Sequence, residues 1–541
     1  MGATLRALRA LVLLAGFHLL GLGLLALLGA LDWVAWRWAP ALWALKIYAL
    51  SFVLAVPVVR GMLMLRTPRD EGVAGVPVTE AEEPRLWAAV RELAALVGTR
   101  APDEIRLTAD MNAAVTEDAR LLGLLGGTRR LYLGLPLVTG LSEARLRAVL
   151  AHELGHYAHS DTRLSGITER SRLHVARTVG RFEEKSGLKV AKERARQERK
   201  SARRVARGKT AREVDTTGVG ITYRVMARIY TAYGRFSMRA TLSGSRRQEI
   251  AADLAAARIA GRDATASALR ALPALDTAHE FYLSSYATLG VEFGMLPPRG
   301  EVFGGVRHLL DARAGELAGM RAALPAEPAT PYDSHPPTAE RVATVEALPD
   351  DGRAAEEDRP ALTLFASPEE ALRAVEDATL TPEALRMRRL DWPDLVHEAM
   401  TAKYVRDTEV LREAIGEPAE APDRPDGTDR CLRWEVEAFL DAVDAGAVWD
   451  LVDRLPKSEE AAAASGRAAR EFARSSLRRE LARLLTTALA VDGRARWQLS
   501  WSAPASLLLP DGYAEELPAA LDAAIADRPD TERLRKLLAA A

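Results

Sequence analysis

The chain has 541 residues, 48% of them hydrophobic and 27% charged, with a formal net charge of -1. That length excludes a single ordinary domain, and the balanced charge gives no reason to expect a nucleic-acid partner. Cys431 is the only cysteine, which excludes an intrachain disulfide and a thiolate metal site and fits a reducing compartment.

Leu8 to Leu31 is almost wholly apolar, broken only by Arg9 near its start and His18. This is long enough to cross a hydrocarbon core of about 30 Å and too long for the core of a cleavable signal. A second apolar segment runs from about Trp38 to Val59, with Lys46 placed where its side chain can snorkel. Trp33, Trp36, Trp38 and Trp43 crowd the expected turn, where an aromatic belt belongs. Arg6 and Arg9 precede the first segment and Arg60, Arg66 and Arg69 follow the second, whereas the turn holds only Asp32 and Arg37. The expectation is a multi-pass anchor in the cell membrane over residues 1–69, with both chain ends in the cytoplasm.

After Arg69 the sequence becomes soluble in character. Residues 79–98 have Leu86, Val90, Leu93 and Leu96 at helical spacing. Pro102 to Leu107 and Arg130 to Leu135 suggest strands, and Ser142 with Glu143 marks a helix start. Residues 183–213 mix basic and acidic side chains and predict a solvated helical insertion, or else a patch on the anionic leaflet. Residues 219–260 suggest one long helix or a broken pair, and Arg224, Arg228, Arg235 and Arg239 make it a poor membrane span. A proline-rich loop at 322–337 precedes a helix from Thr338. Residues 346–360 are acidic and proline-flanked, as a linker would be. From 361 to 541 the pattern predicts an all-α domain, with Trp392, Trp434, Trp449, Trp497 and Trp501 filling its core.

The chemistry is concentrated at residues 152–156, where the sequence is H-E-x-x-H. On a helix, His152 and His156 fall about 40° apart and present both imidazoles to one side, ready to share a zinc ion. Glu153 lies about 100° away, beside the open coordination site, as a general base for a zinc-activated water. A catalytic zinc usually takes a third protein ligand. Glu249 is the leading candidate, with Asp253 one helical turn later as the acceptor for the free N–H of a ligand imidazole. Alone the E-x-x-x-D spacing is a weak signal. His159 competes, but it is two turns from His152, and a capping or supporting role suits His159 and Asp161 better.

Five motifs occur in order: NAAV at 112–115, LGLP at 133–136, VLAHELGHYAHSDTR at 149–163, EIAAD at 249–253 and SHPPTAER at 334–341. Over roughly residues 70–345 the chain resembles the HtpX-like membrane zinc metallopeptidases, relatives of the CAAX prenyl proteases within the gluzincins. The resemblance implies one zinc per chain held by His152, His156 and Glu249, with Glu153 as base and Asp253 behind a ligand histidine. It makes Asn112, Leu133 and Gly134 candidates for holding a substrate backbone as an added strand. It suggests that His335 donates to the oxyanion of the reaction, and offers Arg341 as a weaker candidate. Such bacterial relatives usually carry further membrane segments after the catalytic helix, where this chain is arginine-rich.

The expected architecture is therefore mainly α with a small β-sheet, an α+β zincin-like domain at 70–345. It is preceded by a two-helix transmembrane hairpin and followed by an all-α C-terminal domain. The expected function is a membrane-anchored zinc endopeptidase, with a cytoplasmic catalytic domain, that cuts unfolded or membrane-derived polypeptides, with quality control implied by the resemblance. The alternative is a silent or signal-gated scaffold that binds a protein partner through residues 361–541.

Overall fold

A computed structural model describes residues 3–63, 75–117, 127–156, 180–201 (without 181, 182 and 198), 216, 221–324, 336–352, 359–411 (without 410), 432–447 and 464–540. Two compact units emerge from the packing: residues 1–273 with 320–367, and residues 274–319 with 368–541. Composition had suggested a linker at 346–360 instead. The reason for the difference is visible at its end: Leu141 accepts from the Ala361 amide at 3.0 Å and Arg359 accepts from the Glu143 amide at 2.7 Å, which ties this stretch into the first unit.

The first unit opens with two helices, α1 (Ala3–Trp38) and α2 (Ala41–Leu63). Their junction is only Ala39–Pro40, so Trp33, Trp36 and Trp38 belong to the last turns of α1 rather than to a turn. Within α1, His18–Trp38 is long and apolar enough to cross a membrane, and α2 contains a shorter apolar stretch, Ala41–Val56. Large side chains on both, including Leu19, Trp36, Leu42 and Phe52, are exposed.

Four strands follow: β1 (Val76–Val78), β2 (Glu104–Thr108), β3 (Ala113–Glu117) and β4 (Arg129–Gly134), in the spatial order β1-β2-β4-β3. Strand β4 runs parallel to β2 and antiparallel to β3, with Leu133 opposite Leu107 on one side and Ala113 on the other. Helix α3 (Pro84–Val97) buries Leu86, Val90 and Leu93, while Leu96 is exposed. Gly98, in the left-handed region at φ 80°, ends it. The short α4 (Leu135–Gly140) continues directly from β4, and α5 (Glu143–Gly155) buries Leu146, Leu150 and Leu154. Then come α6 (Ile221–Ala260), α7 (beginning at Arg262 and ending at Tyr282) and α8 (Thr338–Glu346). The long or broken alternatives for 219–260 resolve into one continuous 40-residue helix.

The second unit, expected to be all-α, also carries two small two-stranded sheets, Met295–Leu296 with Arg388–Arg389 and Arg496–Gln498 with Ser506–Leu508. One core cluster is built without tryptophan, where Leu432, Val436, Phe439 and Leu440 of one helix meet Leu477, Leu481, Leu484 and Leu485 of another, while Trp392 and Trp497 of the expected set are buried elsewhere. Trp392, Trp501, Tyr282 and Tyr286 form a separate cluster, with the Tyr286 and Trp501 rings stacked at 4.7 Å. Trp449 lies outside the described residues.

One glycine is required where the sheet turns toward the catalytic helix. A Cβ on Gly134 would lie 1.9 Å from the Asp110 carbonyl oxygen and 2.7 Å from that of Asn112. Both obstacles are backbone and cannot swing away as a flexible side chain would. The Gly134→Ala variant is therefore expected to lose on the order of 1–3 kcal/mol or more. This would appear as a clear fall in melting temperature, and an unchanged melt would contradict the packing described.

Candidate metal centre

Helix α5 begins after Ser142, whose backbone is extended (φ -77°, ψ 163°), with Glu143 in the first turn where an acid favours the helix dipole. Its apolar side, Leu146, Leu150 and Leu154, is fully buried and fixes the rotation of the helix. His152 is thereby turned into the unit, and His156 follows at the C-cap, its amide still bonded to the His152 carbonyl at 3.2 Å. The two rings stand edge to face with centroids 4.7 Å apart. Helix α6 passes alongside and presents Glu249 and Asp253, one turn apart and both buried.

His152 Nε2 lies 3.7 Å from one oxygen of Glu249, and His156 Nε2 lies 3.6 Å from the other. These separations are too long for hydrogen bonds. They do suit a shared ion: donors each about 2.1 Å from a tetrahedral metal stand roughly 3.4 Å from one another. The three ligand atoms fall within 4.8 Å of one another. Two imidazoles and a carboxylate, with no thiolate, form a donor set of the kind a hydrolytic metal uses.

Behind this triad is a buried charge bracket. His152 Nδ1 is 2.9 Å from Asp253 Oδ1, which turns this ring nitrogen to the carboxylate and the Nε2 to Glu249. Asp253 also accepts a two-pronged bond from Arg341 of α8, Nε at 2.8 Å and Nη2 at 2.7 Å. Burial pushes the Asp253 carboxyl up, but the bonds from Arg341 and His152 outweigh it and hold it below the usual aspartate value. Burial correspondingly lowers Arg341, and Asp253, Glu249 and Glu153 together raise it above its ordinary value. Both groups are thus held in their charged forms. Arg341 Nη2 also comes within 3.8 Å of Glu249.

Beside the bracket is a cavity of about 120 Å³. His152, Glu153, Glu249 and Arg341 border it on one side, and Ala148, Val149, Ala268, Leu269 and Leu272 supply apolar walls. The α7 residues among these carry no motif. Their place becomes evident only once α7 is seen to turn back past α5, through contacts such as Arg145 Nε to Ser267 Oγ at 2.8 Å. Arg341, the weaker candidate by sequence, is a central residue of the bracket. Its signal was the SHPPTAER motif alone.

The expected backbone-binding residues divide. Gly134 donates to the Asn112 carbonyl at 2.8 Å, and Leu133 is paired on both sides. An interior strand has no free ladder for an added chain, so Leu133 and Gly134 do not fill the role assigned to them. Among the described residues β1 and β3 are the outer strands of the sheet, and the exposed Asn112 directly precedes β3. His335, His159 and Asp161 lie outside the described residues.

No curated protein and no solved structure matches the chain. The model of Peptidase family M48, by contrast, matches residues 80–348, a stretch that opens just ahead of α3, closes just after α8 and takes in every residue of the triad and the bracket. On that match the chain belongs to peptidase family M48 and is a metallopeptidase.

Proposed function

We propose that the chain is a zinc endopeptidase anchored in the cell membrane by a hairpin of α1 and α2, with its catalytic unit on the cytoplasmic side. Its substrates would be unfolded or membrane-derived polypeptides, in keeping with membrane-protein quality control. The observation that carries the zinc reading is the approach of His152 and His156 to the two oxygens of Glu249 at 3.7 and 3.6 Å, backed by Asp253. The apolar length of His18–Trp38 and the exposed side chains around it support the anchor.

In this reading His152, His156 and Glu249 hold the ion. When bound, zinc would lower the pKa of water and polarise the scissile carbonyl. Glu153, one residue beyond His152 and bordering the same cavity, takes the proton of the attacking water and passes it to the leaving amine. Asp253 holds the His152 ring in the tautomer that ligation needs, and Arg341 keeps Asp253 ionised while it does so. Asn112, exposed and directly before β3, is placed to hold the substrate backbone. The 120 Å³ cavity takes one substrate side chain. It is smaller than the apolar cavity of about 150 Å³ that accommodates benzene, so an aliphatic chain suits it better than an aromatic one.

Three measurements test this. Glu153→Gln is expected to retain one zinc per chain while cleavage of casein falls by about 10²–10⁴-fold. Loss of zinc from that variant, or wild-type chain that binds no zinc after reloading, would defeat the reading. Asp253→Asn is expected to weaken zinc binding by about 10–100-fold in a chelator competition, since the ligand histidine loses its anionic acceptor. Ala268→Leu fills the cavity and should shift cleavage of a peptide library from sites with Leu, Val or Met beside the scissile bond to sites with Gly or Ala. An unchanged preference would show that this cavity does not select substrate.

A further inference from the structure

The charge on α6 is distributed unlike that of the chain as a whole. The whole chain is nearly neutral, at -1, yet from Ile221 to Gln248 there are six arginines and no acidic residue. Arg224, Arg228 and Arg235 are exposed. At 100° per residue these three fall within about 40° of one another, so they form a single stripe.

The opposite side of the same turns is packed. Ala227 and Tyr230 are buried with Val58 of α2, and Leu20, Leu24 and Leu25 of α1 pack against them. Tyr233 lies against Gly16, where a Cβ would stand 2.8 Å from its hydroxyl oxygen. Val58 lies near the end of α2 that carries Arg60 in sequence, and the α1 partners run from Gly16 to Leu25, in the middle of that helix. On α1 they fall around the start of its membrane-length segment, His18–Trp38. The stripe therefore flanks the anchor across the start of that segment, from Gly16 just before it to Leu25 about two turns inside it. Arg224 and Arg235 are separated by about 16 Å along the helix, a span that long arginine stems can bridge to one interface by snorkelling. Phe236 and Val225, also exposed beside the stripe, suit the same boundary.

We propose that Arg224, Arg228 and Arg235 form a binding stripe for the phosphates of anionic phospholipids in the cytoplasmic leaflet. Planar guanidinium groups match phosphate oxygens in pairs, and such a leaflet supplies phosphate at this depth. Lipid is favoured over an acidic protein because the stripe is continuous with the apolar anchor on the same helix bundle. The site differs from the metal centre, but it rests on the membrane-anchored reading above.

The test uses the full chain reconstituted in nanodiscs of mixed phosphatidylglycerol and phosphatidylcholine. The protein is then released in mild detergent and its retained lipids counted by native mass spectrometry. Wild type should retain phosphatidylglycerol in excess over the bilayer composition. The triple variant R224Q/R228Q/R235Q should lose most of that excess, by up to about a hundredfold if each arginine contributes roughly fivefold at an anionic surface. The triple lysine variant should keep part of it, which separates charge from misfolding, and both variants should bind zinc as wild type does. Free inorganic phosphate should not displace the lipid. A wild type that retains lipid in the bilayer ratio overturns the proposal, as does excess that survives the triple glutamine change. Displacement by free phosphate, or an acidic protein that co-purifies in place of the lipid, overturns the lipid assignment. Chain recovered in the soluble fraction without detergent overturns this proposal and the membrane reading together. Membrane-bound chain without lipid excess overturns this proposal alone.

Discussion

The first unit depends on the pairing of Asp253 with Arg341. Helix α6 carries two acids one turn apart, Glu249 and Asp253, both almost fully buried and both turned toward the same histidine. Two like charges so placed repel, and burial penalises each of them. Arg341 offsets both effects, with two bonds to Asp253 and a further approach to Glu249. Remove it and the bracket becomes a buried, uncompensated carboxylate pair. The guanidinium geometry matters as well: its fork engages both oxygens of Asp253, so the carboxylate cannot rotate away from His152 Nδ1.

Much of the surrounding structure can be understood as support for that pairing. Arg341 sits on α8, 88 residues beyond Asp253. Helix α8 is held against α7 and the end of α6 by a small apolar cluster of Val342 and Val345 with Ala257, Ala266 and Leu269. The Arg270–Glu346 pair at 2.8 Å closes its outer side, where partial exposure makes it a weaker contribution than the apolar contact. Leu269 serves in both places, in this cluster and in the wall of the cavity beside the bracket. The segment that locks the charge bracket thus also shapes the space beside it.

The legibility of the site in sequence follows the range of the interactions. His152, Glu153 and His156 could be placed because helical periodicity fixes their relation within one turn and a half. Glu249 and Asp253 were legible in the same way, as a pair waiting for a partner. Arg341 was legible only as a weaker candidate through the SHPPTAER motif, and its partner was not, since nothing local distinguishes an arginine that reaches a carboxylate from one that reaches water. The strand LYLG was correctly read as a strand, but its neighbours were not in the pattern. Only pairing on both sides reveals that Leu133 and Gly134 are interior, with β1 and β3 the outer strands among the described residues. The end of the acidic, proline-flanked stretch at 346–360 is likewise tied by contacts no local pattern shows, backbone bonds of Arg359 and Ala361 with Glu143 and Leu141.

The arginines of α6 show how one signal can argue against one conclusion and for another. Counted along the sequence, they made 219–260 a poor membrane span, and a lone arginine-bearing helix in hydrocarbon would indeed be costly. On one continuous helix the same residues segregate to a single side, while Ala227 and Tyr230 pack against α1 and α2 on the other. Such a helix need not cross a bilayer to belong at its boundary. From Tyr230 to Glu249 it rises about 28 Å without a break, since 19 residues each add about 1.5 Å. Its two ends therefore meet different surroundings. One is packed against an apolar helix pair, and the other brings a buried carboxylate to two histidines.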